Sequence, residues 1–152
     1  MQGPNQFKQS GEKGLLDMKY NPMVMSVEID QSSAGSLVAG QAVKMVDSAG
    51  GVPKVVECSS DADDVFGFII YDIKSQKFSA YDKCEVAFFK GSIMYMQSSA
   101  AIARYAEVAI VLAGQKIVTA STGKRIVGRA LDKATAADQL VRVIVNLPSP
   151  LA

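Results

Sequence analysis

The residues of this chain that could do chemistry fall into four small groups. Asp61, Asp63 and Asp64 lie within the run Ser59-Ser60-Asp61-Ala62-Asp63-Asp64. Carboxylates at that density suggest a cation loop, but a helix-loop-helix calcium site needs further oxygen ligands at fixed offsets, a glycine and a distal glutamate. The sequence does not supply them, so the run reads as a solvated acidic turn whose Asp and Ser side chains bond their own backbone. Ser121-Thr122-Gly123-Lys124 and Ser10-Gly11-Glu12-Lys13 share the Ser-x-x-Lys spacing of an acyl-transfer site. The first reads as a hairpin turn in which Gly123 supplies the positive φ, and the second lies in a polar arm that holds no geometry. Gly123-Lys124 is followed by Arg125 and its preceding Gly114 is too distant for a phosphate-binding loop. Cys58 and Cys84 each neighbour a glutamate, Glu57 or Glu85, which disfavours the thiolate. They lack metal-ligand spacing and are too few for a disulfide scaffold, although a single bridge would form if they approached each other.

Histidine is absent, which removes the commonest general base and the commonest transition-metal ligand. No catalytic constellation, metal site or cofactor site is expected, and the chain does not read as an enzyme. The fourth group is cationic: Lys116, Lys124, Arg125, Arg129, Lys133 and Arg142 face only Asp132 and Asp138, a local net of +4 in a chain whose total is +1. That tract is either a solvated face or an orienting patch for a charged partner. Aromatic residues do not interleave with it and the chain carries no basic excess, so nucleic acid is not an expected partner.

These groups must be positioned by a core, and 152 residues suit one domain with a tail. Apolar residues make up 49% and charged residues 20%, as in an ordinary globular protein. The start, MQGPNQFKQSGEKG, lacks the apolar core of a signal peptide. Val108 to Gly114 is far shorter than the ~20 residues that cross a membrane. A soluble protein made in a reducing cytoplasm is expected, with no membrane partner.

Residues 1–20 read as a polar mobile arm broken by Gly3, Pro4, Gly11 and Gly14. After Asn21-Pro22 the sequence alternates, with Met23, Met25, Val27 and Ile29 on one side and Val24, Ser26, Glu28 and Asp30 on the other, a half-buried strand. Short β-like runs follow: Val43 to Val46, a Gly50-Gly51 turn, Val52 to Glu57 with Pro53 marking a strand start or edge, Phe66 to Tyr71, Glu85 to Phe89 and Ile93 to Met96. Asp72 to Asp82 is a polar loop or an extra strand pair. Ile102, Tyr105, Ala106, Ala109 and Ile110 share one helical face, predicting a short helix capped by Ser98 or Ser99; the alternation of Val108, Ile110 and Leu112 offers a strand over Glu107–Leu112 instead. An internal echo runs through the body. Ala39-Gly40-Gln41 with Val43–Val46 resembles Ala113-Gly114-Gln115 with Ile117-Val118, and Phe66-Gly67-Phe68-Ile69 resembles Val127-Gly128-Arg129-Ala130-Leu131. Asp82 and Asp138 then precede the closing runs Val86–Phe89 and Val141–Val145. Two related β-units pairing in one small barrel or sandwich would produce it.

The closing stretch, Gly123 followed by Val127-Gly128-Arg129-Ala130-Leu131, the Ala-rich Ala134–Asp138 and Leu140-Val141-Arg142-Val143, resembles the end of tailed-phage head decoration, or capsid cement, proteins. Ala39-Gly40-Gln41-Ala42-Val43 and Ser98–Ala103 fit the same plan, so the resemblance covers about residues 36–147. It implies a mainly β fold, a small β-barrel or β-tulip domain over residues 36–152 with one short helix, preceded by an extended arm over residues 1–35. It further implies a non-enzymatic virion protein on the outer surface of an icosahedral head, binding the major capsid protein, often as a homotrimer. The strand residues Met23, Val24, Met25, Ser26, Val27, Glu28 and Ile29 are the expected capsid contacts, suited to completing a partner's sheet edge; the same strand could instead pair within its own barrel. A tail or head-tail subunit forming rings or tubes is the alternative function.

Overall fold

The computed structural model describes residues 13–14, 16, 24–33, 35–46, 51–72, 77–88, 91–111 and 116–147. They form twelve strands: Val24–Ile29 (β1), Leu37–Val38 (β2), Ala42–Val46 (β3), Lys54–Glu57 (β4), Gly67–Ile69 (β5), Lys77–Phe78 (β6), Lys83–Ala87 (β7), Ile93–Gln97 (β8), Glu107–Val111 (β9), Lys116–Thr119 (β10), Ile126–Ala130 (β11) and Leu140–Val145 (β12). The fold is a small β-barrel protein. Strands β1-β4-β3-β5-β7 close a barrel, β10-β9-β11-β12-β8 make a second five-stranded sheet, and β2 pairs with β6.

The expected strand at Val24–Ile29 forms for the reason its alternation gives: Val27 and Ile29 are fully buried inside the first barrel. Its backbone runs antiparallel to β7 from Val24↔Ala87 to Glu28↔Lys83. It meets β4 in parallel only at Glu28↔Lys54 and Ile29↔Val55. The Glu28 amide donates to the Pro53 carbonyl at 2.9 Å, and there the ladder stops, because proline has no N–H to return. Of the two readings of this strand, pairing within its own barrel is the one seen along β7, while its other edge is paired only at Glu28 and Ile29.

Part of the segment expected as an arm over residues 1–35 is described, and there it lies against the body. The Gly14 amide donates to the Tyr95 carbonyl at 2.8 Å and the Gly14 carbonyl accepts from Tyr71 at 3.0 Å. Leu16 bridges Met94 antiparallel and is 5% exposed. The segment thus adds to the edge of β8. A Cβ on Gly14 would lie 2.5 Å from the Gly40 amide nitrogen, so this docking requires glycine at that point.

The short helix is absent among the described residues. Its place is taken by a coil and by β9, which pairs with β10 on one side and β11 on the other. Val108, Ala109 and Ile110 are all buried, because both faces of this central strand are covered, and a run buried on two faces imitates a helical face as readily as a strand.

The internal echo is a true duplication of topology. In each half the first strand lies antiparallel to the last, a hairpin packs beside the fourth strand, and the ring is drawn together by a parallel contact. That contact is Ile29↔Val55 in the first half and Ser98↔Ile117 in the second. The registers agree pair for pair: Met25↔Val86 matches Met94↔Val143, Val43↔Glu57 matches Val108↔Thr119, and Phe68↔Ala87 matches Arg129↔Ile144. Even the irregularities recur. Gly40 and Tyr105 have φ of 78° and 65°, and their amides donate to Ile69 and Ala130, each at 2.7 Å. Tyr81 and Asp138, at φ 70° and 65°, donate to Ile29 and Ser98, each at 2.8 Å. The echo as read from sequence has the Gly67/Gly128 strands in register and pairs the two closing runs with each other, but it sets Asp82 rather than Tyr81 against Asp138 and matches Val43–Val46 with β10 where the structure matches β3 with β9.

Two apolar clusters hold the halves. One fills the first barrel, with Val27, Ile29, Val43, Val55, Ile69 and Val86 at its centre. The other runs through the second half, around Met94, Val108, Val127 and Val143, and takes in Leu16 with Ala42, Phe68 and Ala87 from the first barrel's outer face. The halves therefore share a core.

Candidate functional site

Of the expected contact residues, Met23 lies outside the described residues. Val27 and Ile29 face the barrel interior and cannot touch a partner. Met25 is partly buried against that interior. The outward side chains are Val24, 43% exposed, Ser26, and Glu28, whose carboxylate lies 3.5 Å from the Lys54 ammonium. The structure thus brings three of the seven to one surface, and the alternation of the sequence separates them correctly from the buried set.

The acidic loop is structural. One carboxylate oxygen of Asp63 accepts from the Ser59 and Ser60 amides at 2.6 and 3.0 Å and from Lys44 Nζ at 2.9 Å. Burial works against the Asp63 charge, but the Lys44 ammonium and the two amides outweigh it and hold the carboxyl down at about 2. Asp61 reaches Lys124 Nζ at 2.7 Å, and Arg125 Nε donates to the Ala62 carbonyl at 3.1 Å. The loop of the first half is thereby tied to the Ser121–Lys124 turn of the second, so Lys124 serves as an ion-pair partner and Gly123, at φ 84°, makes the turn.

The cationic tract is matched in the same manner. Lys116 bonds Asp138, Arg129 bonds Glu107 at 3.1 Å, and Arg142 grips Asp132 through Nε and Nη2 at 2.8 and 2.7 Å. The Arg142 hydrogen bonds, against some burial, keep the Asp132 carboxyl below its ordinary range. A local net of +4 is therefore spread over ion pairs, two of them with acids outside the tract, Asp61 and Glu107. Cys58 and Cys84 are free and buried, in different apolar clusters. Burial first, then Asp63 beside Cys58 and Asp82 beside Cys84, pushes the thiols up to about 12 and about 11. Neither is an activated nucleophile. Among the described residues no group of three His, Cys, Asp or Glu is placed to hold a metal ion.

What remains is surface suited to binding. Met45, Val65, Phe66, Phe88 and Leu147 line an open cleft of about 540 Å³ rimmed by Lys44 and Asp63. Phe66 and Phe88 stack at 5.7 Å with 12° between their planes. Both phenylalanines stand in apolar runs of the sequence, but only the pairing of β5 with β7 brings them face to face.

These features define a class: an all-β protein built from two matched five-stranded units with a shared core. No family model and no curated protein matches the sequence. Among solved structures, the N base of head fiber gp8.5 of bacteriophage phi29 has a similar fold, with a TM-score of 0.54 at 10% identity over 86% of this chain and 98% of that one.

Proposed function

We propose that this protein is a structural component of a phage head, bound to the outer surface of the shell, where it bridges neighbouring major capsid subunits and stabilises the expanded state. The observation that carries this reading is the fold likeness to a head fiber base over nearly the whole of both chains. The chemistry of the site supports it, because the carboxylates are engaged in turns and ion pairs and the thiols are held protonated. In this reading the protein is not an enzyme and acts as a homotrimer. Each protomer makes modest contacts, through Val24, Ser26 and Glu28 among others, and an oligomer astride several subunits must lose all of them to detach. Binding the expanded shell alone would favour that state by mass action. The test is to mix the purified protein with undecorated expanded heads and image them by electron cryomicroscopy. Ordered density on the outer surface at sites that touch two or more capsid subunits is expected; bare heads at saturating protein would overturn the proposal.

A further inference from the structure

The duplication exposes a difference between its halves. In the second, the outer edge of β8 is covered: Gly14 donates to the Tyr95 carbonyl and Leu16 bridges Met94. There Met94 and Val127 are fully buried and Ile110 is 4% exposed, in a cluster that Leu16 shares with Ala42, Phe68 and Ala87 of the first half. The matching positions of the first half are Met25, Phe66 and Met45. Met25 and Phe66 are only partly buried, and Met45 is 46% exposed. The matching edge is that of β1 at Val24–Ser26. Glu28 and Asp30 turn their amides toward β4, bonding the Pro53 and Val55 carbonyls at 2.9 Å. By the alternation of a strand, Ser26 and Val24 present their amides and carbonyls on the same side, beyond the point where Pro53 ends the ladder. Among the described residues nothing pairs with them.

We infer that the β1 edge at Val24–Ser26 is a docking site for an extended peptide segment of a partner protein, added as a strand, with a leucine-sized side chain over Met25. The occupant's chemistry is read from the segment that fills the equivalent edge, Gly14-x-Leu16. Among the described residues the chain supplies one such segment for two such edges, and the second is assigned to another chain. Backbone bonds would hold the strand and the open apolar end of the first barrel would take its side chain. This inference does not depend on the head reading, because it concerns the edge and not the identity of the protein that supplies the strand.

The probe is a synthetic peptide with the sequence of residues 10–18, Ser-Gly-Glu-Lys-Gly-Leu-Leu-Asp-Met, added to the full chain. Saturable binding with slowed amide exchange at Ser26 is expected, weakened at least about tenfold when the peptide's second leucine is replaced by aspartate. An N-methyl group on the peptide's second glycine, the counterpart of Gly14, should weaken it similarly by removing the backbone donor that Gly14 supplies at the equivalent edge. Shifts confined to Met94 and Tyr95, meaning exchange with the chain's own segment, would overturn the inference. So would no saturable binding at millimolar peptide, or a homodimer that protects Val24–Ser26 without peptide. Loss of head decoration with peptide binding intact would count against the proposed function alone.

Discussion

Asp63 organises more of its surroundings than any other acid of the loop, since one oxygen serves two amides, a hydroxyl and an ammonium. Replacing it with alanine hands the exposed Ser59 and Ser60 amides to water and leaves Lys44 with the Ser59 hydroxyl, and should cost about 0.5–1.5 kcal/mol, measured by urea unfolding. Because its folded carboxyl is held at about 2, below the ~3.9 of an unfolded chain, its contribution is present above pH ~4 and is lost as pH falls toward 2. The alanine variant should therefore lose less stability on acidification than the parent; equal losses would count against this account. The turn itself is legible in the sequence, because Asp and Ser in close succession bond local amides. Lys44 is not, being nineteen positions away and delivered by the pairing of β3 with β4.

At the scale of elements, the edge of β8 shows what a short docked segment contributes. Leu16 is almost fully enclosed and belongs to the second half's core. Leu16→Ala should cost about 2–5 kcal/mol and speed amide exchange at Met94 and Tyr95; an unchanged unfolding midpoint would show that the segment is not integral. The sequence reading treats these residues as part of a polar arm because Leu15 and Leu16 stand isolated among Gly, Lys and Asp, and a single bridge leaves no period to detect. The same limit explains β9. Its apolar residues fit two periods at once, and the choice is made by the strands on either side, with Tyr105 at positive φ ending any helical approach to it. Strand β1 is the converse case, because its alternation is clean and Val27 and Ile29 are buried as that alternation requires.

For the molecule as a whole, the matched registers place Ala42, Phe68 and Ala87 of the first half against Glu107, Arg129 and Ile144 of the second. The first set is buried and joins the core between the halves; in the second set, Glu107 and Arg129 pair in solvent with side chains 50% and 54% exposed. This divergence is part of why the duplication is faint in sequence, since the most informative positions answer to opposite surroundings. The double substitution E107A/R129F, which gives the second half the alanine and phenylalanine of the first, should restore an apolar landing face. It should produce concentration-dependent association in sedimentation velocity, whereas the unaltered chain should hold its state across the same range. Stacked architectures need a wettable last member, and an uncapped one would risk open-ended growth into fibres. The Glu107–Arg129 pair thus sets hydrated charge where the first half offers an apolar landing face, and an apolar surface arriving there would have to strip that water away.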